Sequence, residues 1–298
     1  MMRKSTYVSI AFATILSAAV PAAPAMADVI VQSYASNISK FTGTYFAPIL
    51  SVLLIVFMLM LLETGRRLGR RRAETEPEES RRGAGLIEAA VFGLLGLLLA
   101  FQFAGAGSRL DKRRDIIVHE TNAIGTAYLR LDVISAESAA PIRKLFRDYV
   151  DARISVFRKL PDIKAAEAEL EFSKKLQKEI WSLAVAAVKK EPTAAPTILL
   201  LPALNEMIDI TTTRTVSALT HMPLLIMALL ITMALLSALL AGYAMAAGKK
   251  HNIFHMVMFA LAISITIYAI IDLEFPRAGF IRIGAADKAM VELSQSMK

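Results

Sequence analysis

The sequence predicts an all-α, polytopic membrane protein with four transmembrane helices and an extramembrane helical bundle between spans two and three. Three observations predict it. Hydrophobic residues make up 55% of the 298 positions, against roughly 45–50% in an ordinary soluble domain. Uncharged stretches within 41–62, 89–108, 215–248 and 251–271 each hold the roughly 20 apolar residues that cross a bilayer. Between the second and third of these the apolar residues fall into a helical period, and no alternating pattern competes, which argues against a transmembrane β-barrel.

Residues 1–27 read as a secretory signal peptide. Arg3 and Lys4 precede an apolar run over 8–20, followed by Pro21 and the small-residue triplet Ala25-Met26-Ala27. Cleavage after Ala27 is the first reading and an uncleaved anchor helix the second. A short external segment, 28–45, leads to span one at 46–63, which runs inward. The loop 64–85 then carries Arg66, Arg67, Arg70, Arg71, Arg72, Arg81 and Arg82, a cytoplasmic orientation signal and a contact for anionic lipid. With Glu74, Glu76, Glu78 and Glu79 around Pro77, its middle reads as flexible chain.

Span two, 86–104, returns outward, so 105–220 is an external helical region. Span three, 221–248, turns at the basic Lys249-Lys250 of segment 249–251 into span four, 252–272, and an external tail follows over 273–298. The location implied is the inner (cytoplasmic) membrane, crossed several times. Arg109, Lys112, Arg113 and Arg114 run against the bias but are outnumbered by the loop arginines, and long translocated segments follow the rule loosely.

In the external region, Ile142, Leu145, Phe146, Tyr149, Val150, Phe157 and Leu160 recur largely at three- and four-residue steps, an amphipathic helix with a buried face. Ser138 is its expected N-cap, Pro141 stands in its first turn and Pro161 ends it. A second helix spans about 162–190. A third, from about 193, runs toward span three and is expected to be kinked or divided at Pro202. The pattern Ile116, Ile117, Ile124, Tyr128 and Leu131 extends span two outward as one long rod.

The formal charge of +8 is concentrated in the loop arginines, so it implies a lipid contact and not nucleic acid. The absence of cysteine excludes disulfides, zinc-thiolate sites and thiol nucleophiles. No serine elbow, phosphate loop or dinucleotide fingerprint occurs, so no enzyme, cofactor or metal is expected. His251 and His255 share a helix face, but without a carboxylate nearby they read as an interfacial pair. His119 and Glu120 diverge on a helix. Asn205, Glu206 and Asp209 admit a cation site, although solvated carboxylates are the simpler account.

Small residues recur every four positions in span two at Gly96, Ala100, Ala104 and Ser108, and in span three at Ala234, Ala238, Gly242 and Ala246. Such stripes let helix backbones approach in lipid, or leave room for a narrow permeation path. Gln102, deep in span two, must face protein or water. Beyond the membrane, Arg113, Arg114, Glu120, Asn122 and Arg130 form either paired surface and junction groups or the lining of a vestibule that concentrates anions.

Several strings carry a family resemblance: Glu63-Thr64-Gly65-Arg66-Arg67-Leu68-Gly69-Arg70, the stretch from Arg113 to Leu131 with its Glu120-Thr121-Asn122-Ala123-Ile124-Gly125, and Leu201-Pro202-Ala203-Leu204-Asn205-Glu206-Met207. With Leu236-Ser237-Ala238-Leu239-Leu240-Ala241-Gly242-Tyr243 and Asp272-Leu273-Glu274-Phe275-Pro276-Arg277, they resemble the bestrophin-like family over about residues 45–298. The resemblance implies distant kinship to bestrophins, pentameric anion channels with four membrane helices per subunit and long helices leaving the pore. Bestrophins hold their large helical part in the cytosol, whereas the charge bias here places it outside. Two readings of function follow: an oligomeric, channel-like protein passing an inorganic anion, or a non-conducting envelope protein whose external bundle binds a partner or senses the envelope.

Overall fold

The computed structural model describes residues 46–73, 78–159, 162–247, 252–277 and 279–297. The signal-peptide reading at 1–27, the segment 28–45 and the turn 249–251 lie outside these residues. Eight α-helices occur among the described residues: α1 (Phe46–Ala73), α2 (Glu78–Leu129), α3 (Ala136–Arg158), α4 (Ile163–Val188), α5 (Ala195–Leu219), α6 (Leu224–Ala244), α7 (Ile253–Glu274) and α8 (Gly284–Ser296). Short 3-10 turns close α2 and α6. No strand is present among these residues. The protein is all-α, and four of its helical segments are long and apolar enough to cross a membrane.

The first basic segment differs from its sequence reading. Helix α1 runs on to Ala73 and α2 begins at Glu78, so most of 64–85 is helical. Arg66, Arg67, Arg70, Arg71 and Arg72 continue the helix of span one, and Glu78, Glu79, Arg81 and Arg82 begin that of span two, being good helix formers next to a membrane helix; Glu74, Glu76 and Pro77 lie outside the described residues.

Two cores form along the long axis of α2. In the membrane half, Leu54, Met58 and Leu62 of α1 pack with Leu95 and Leu99 of α2, Leu230 and Ala234 of α6 and Ala260 and Ile267 of α7. Outside it, Ile124 of α2 meets Ile142, Phe146 and Tyr149 of α3, Ile180 of α4, and Leu200, Leu204 and Met207 of α5. Of the apolar stripe read in α3, Ile142, Phe146, Tyr149 and Val150 are buried there and Leu145 and Phe157 half-buried; Leu160 and the expected stop at Pro161 lie outside the described residues. The start of α3 is displaced, however: Ser135, not Ser138, precedes the helix, and Pro141 stands inside it. Asp162 caps α4, its side chain accepting from the Ala165 amide at 3.1 Å.

The span-three stripe is covered. A Cβ on Gly242 would stand 1.9 Å from the Leu62 carbonyl oxygen, and one on Gly65 2.0 Å from the Leu239 carbonyl oxygen. The backbones of α1 and α6 therefore touch, each helix contributing a glycine, and Ala234 and Ala238 lie in the same fully buried seam.

Pro202 lies inside α5 without dividing it. The chain breaks later, at residues 220–223, and α6 starts after Pro223. Pro202 is exposed, on the side of α5 where the carbonyl it leaves unpaired can be solvated. Pro223 biases Met222 away from the helical region, which fixes the break. The tail is not simple chain either, because α8 folds back onto α2 and α3 and buries Met290 and Met297 in the outer core.

Candidate functional site

The long helix α2 has one covered and one bare side. Leu95, Leu99, Ala106, Leu110, Arg113, Ile117 and Glu120 are buried. Gly93, Gly96, Leu97, Ala100, Ala104, Ser108, Asp111, Asp115, His119 and Asn122 are exposed. At 3.6 residues per turn most of the exposed set falls on one continuous strip, small or apolar in the membrane half and polar beyond it. No atom lies within 4 Å of where a Cβ on Gly93, Gly96 or Gly107 would stand.

The candidates from the sequence separate on this frame. Gly96, Ala100 and Ala104 are outward. Gln102 is half-buried, on the flank shared with Leu95 and Ala106, so it and the small stripe do not share a face. Asn122 is outward, and Arg114 reaches the exposed Asp111 at 3.3 Å. Arg130 donates to the Leu199 carbonyl at 2.7 Å, tying the end of α2 to α5. Arg113 and Glu120 point into the subunit and belong to two charged layers between the cores.

The first layer sits at the α5–α6 break. Arg113 is 7% exposed and donates to the carbonyls of Glu274 at 2.7 Å, Thr220 at 2.8 Å and Ser217 at 3.4 Å. Its guanidinium thus takes up carbonyls that the broken helix leaves without amide partners. The Glu274 carboxylate accepts from Arg109 Nε and from the Met222 amide, both at 2.9 Å. His221 stacks on Phe275, ring centroids 4.6 Å apart, with Nδ1 3.4 Å from Glu274.

The second layer lies farther out. Glu120 is fully buried and holds one arginine on each oxygen, Arg153 Nε at 2.7 Å and Arg214 Nη1. Arg214 also approaches Asp287 at 3.5 Å, and Arg277 grips Asp287 with two bonds of 2.9 and 3.0 Å. Next to it Tyr149, Gln177 and Thr211 form a closed set of hydrogen bonds of 2.9–3.0 Å. Burial pushes the Tyr149 phenol above its ordinary pKa, keeping it a neutral partner there.

Beside α7, Asp272 accepts from the amides of Phe280 at 2.9 Å and Ile281 at 2.8 Å, closing the loop that follows. A Cβ on Gly279 would overlap the Asp272 carboxylate, at 1.4 Å from Oδ1.

Sequence reasoning anticipated the close approach at Gly242 but missed Arg153, Arg214, Asp272, Glu274, Asp287 and the contacts at Gly65 and Gly279. One signal was present: Arg153 stands four residues after Tyr149 and three after Val150, on the apolar stripe itself, where a charge demands a partner. The acidic group Asn205, Glu206 and Asp209 lies on an exposed edge of α5. There an open depression of about 390 Å³ is shared with His119, whose Nε2 is 3.7 Å from Glu206. Among the described residues no group of three or more metal-binding side chains forms. Of the histidine pair, His255 is exposed and His251 lies outside the described residues.

No curated protein matches the sequence. Among solved structures, the fold is similar to variants of a bacterial bestrophin homologue from Klebsiella pneumoniae. One is 14% identical with a TM-score of 0.60, over 82% of this chain and 98% of that one. A second is 15% identical with a TM-score of 0.58, over 81% and 99%. A third is 13% identical with a TM-score of 0.59, over 81% and 97%. The family model described as Bestrophin-like domain matches residues 52–287, which take in the four membrane segments, both charged layers and the start of α8. The chain belongs to the Bestrophin-like family.

Proposed function

We propose that the protein is an oligomeric, ion-conducting protein of the inner membrane in which α2 of each copy turns its bare strip toward a common axis. One observation carries the reading: the strip lacks a partner within the subunit and holds a line of small residues, with Leu97 and Phe101 beside it, where the exposed faces of α1 and α7 are large. Ile49, Val52 and Phe57 on α1 and Phe254 and Ile265 on α7 are exposed as lipid-facing residues should be. Gly93, Gly96, Ala100 and Ala104 instead leave a shallow channel along α2, suited to a close neighbour or a narrow path. Beyond the membrane the strip becomes polar, with Asp111, Lys112, Asp115 and Asn122, as the mouth of an aqueous path requires.

The permeant ion is taken to be an anion on kinship to bestrophins. Arg113 faces inward, so any basic contribution at the mouth comes from Lys112 and Arg114. The test is a chloride flux assay in liposomes. Ala104→Phe should reduce flux at least tenfold with the oligomer retained by crosslinking. Gln102→Leu, on the other flank, should leave flux within about twofold. A monomer, or full flux in Ala104→Phe, would remove the reading; sodium flux without chloride flux would reverse the ion and keep the path.

A further inference from the structure

Arg153 is fully enclosed in the outer core, yet only part of its guanidinium is used. Nε is committed to Glu120 at 2.7 Å. Nη1 and Nη2 are both closed off from solvent and neither has a hydrogen-bond partner. Three guanidiniums surround the ring of Phe157: Arg214 lies 3.7 Å, Arg277 4.7 Å and Arg153 5.6 Å from its centroid. Two carboxylates answer them. Glu120 is shared by Arg153 and Arg214, and Asp287 is taken by Arg277 with Arg214 beside it. The cluster thus retains one positive charge, on the side of Arg153 that has no acceptor.

Two buried guanidinium nitrogens without acceptors are costly, and a counter-charge that meets them must be compact to fit a closed core. Phe157 does not supply it, since a ring face is shared here among three cations and accepts no strong hydrogen bond. We propose that the two free Nη groups of Arg153 bind one small monovalent anion of halide type, inside the extramembrane bundle where α2, α3, α5 and α8 meet. The anion completes the charge balance of the layer. Exchange requires the bundle to open locally, α8 being the element that faces Arg214 through Asp287. The site is structural in position and lies on the opposite side of α2 from the bare strip, so it stands or falls independently of conduction.

The test uses the full-length protein in detergent, with bromide as the probe. Thermal unfolding is followed in sodium bromide and in sodium gluconate, an anion too large for the site, at equal ionic strength. Bromide should raise the midpoint saturably by about 2–4 °C, and crystals grown in bromide should show an anomalous peak within hydrogen-bonding reach of Arg153 Nη1 and Nη2. Arg153→Lys, which keeps the charge but loses the fork, should abolish the bromide-specific rise. Equal midpoints in the two salts, or bromide density elsewhere with none at Arg153, would overturn the proposal. Should Arg153→Lys not fold, the wild-type melting pair and the anomalous map decide alone. Loss of chloride flux through α2 would leave this result unchanged.

Discussion

Asp272 and Glu274 stand two residues apart at the end of α7 and serve different neighbours. Asp272 holds the loop at Phe280 and Ile281, while Glu274 holds Arg109 and the start of α6 at Met222. Gly279→Ala should therefore displace the Asp272 carboxylate and free two amides. A loss of about 1–3 kcal/mol follows from leaving such donors unsatisfied, measurable as a lowered unfolding midpoint in detergent. Glu120→Gln should cost more, about 3–5 kcal/mol, because two enclosed arginines lose their shared carboxylate. A midpoint close to wild type would show that the layer is not the tie between cores that its geometry describes. The string around Glu120 and the Asp272–Arg277 string were legible as recurring sequence, but their chemistry was not. Glu120 meets Arg153 and Arg214 from 33 and 94 residues away, and helical periodicity reports a face without reporting what lies across it.

At the scale of helices, hydropathy identified the membrane segments and periodicity identified the stripe of α3, because both signals are local. Pairing is not local. The stripes of α2 and α6 look alike in sequence, yet α6 is clasped to α1 and α2 is left bare in the subunit. The difference lies in Gly65, whose missing side chain lets the α6 backbone at Leu239 reach the backbone of α1. Gly242→Leu should force the Leu62 and Leu239 turns apart and cost more than the roughly 1–3 kcal/mol typical of overpacking. Gly96→Leu in the isolated subunit meets open space and should leave the subunit's own fold intact. Circular dichroism melts of the two variants in detergent would separate them, and equal losses would contradict the assigned pairing. The prolines differ in the same way: Pro202 stands on an exposed face inside α5, whereas Pro223 holds Met222 out of the helix and so marks the break before α6.

For the molecule as a whole, the charge bias and the kinship to bestrophins predict opposite orientations. Alkaline phosphatase and a cytoplasm-active fluorescent reporter fused at Ala73, Ala165 and the C-terminus should report cytoplasmic, external and external positions under the charge bias. Fluorescence at Ala165 would invert the arrangement and place the outer core, α8 and the Arg153 layer in the cytosol. The two-core architecture serves either orientation, because the charged layers lie between the cores and draw their carboxylates and arginines from the chain itself. Composition revealed that there would be a membrane part and a second helical part; it held no record of the layers joining them, which depend on residues brought together from five helices.

Helix α2 passes through both cores as a single element of 52 residues, about 78 Å long. A beam of that length without a joint cannot widen at one end and rest at the other. If it pivots about the Arg113 and Glu120 layers, a tilt of about 5° carries the membrane tip roughly 5 Å one way and the outer tip roughly 2 Å the other. Constriction at the membrane end and splaying at the outer end would then be one motion, and a clamp applied far from the bilayer would be felt inside it.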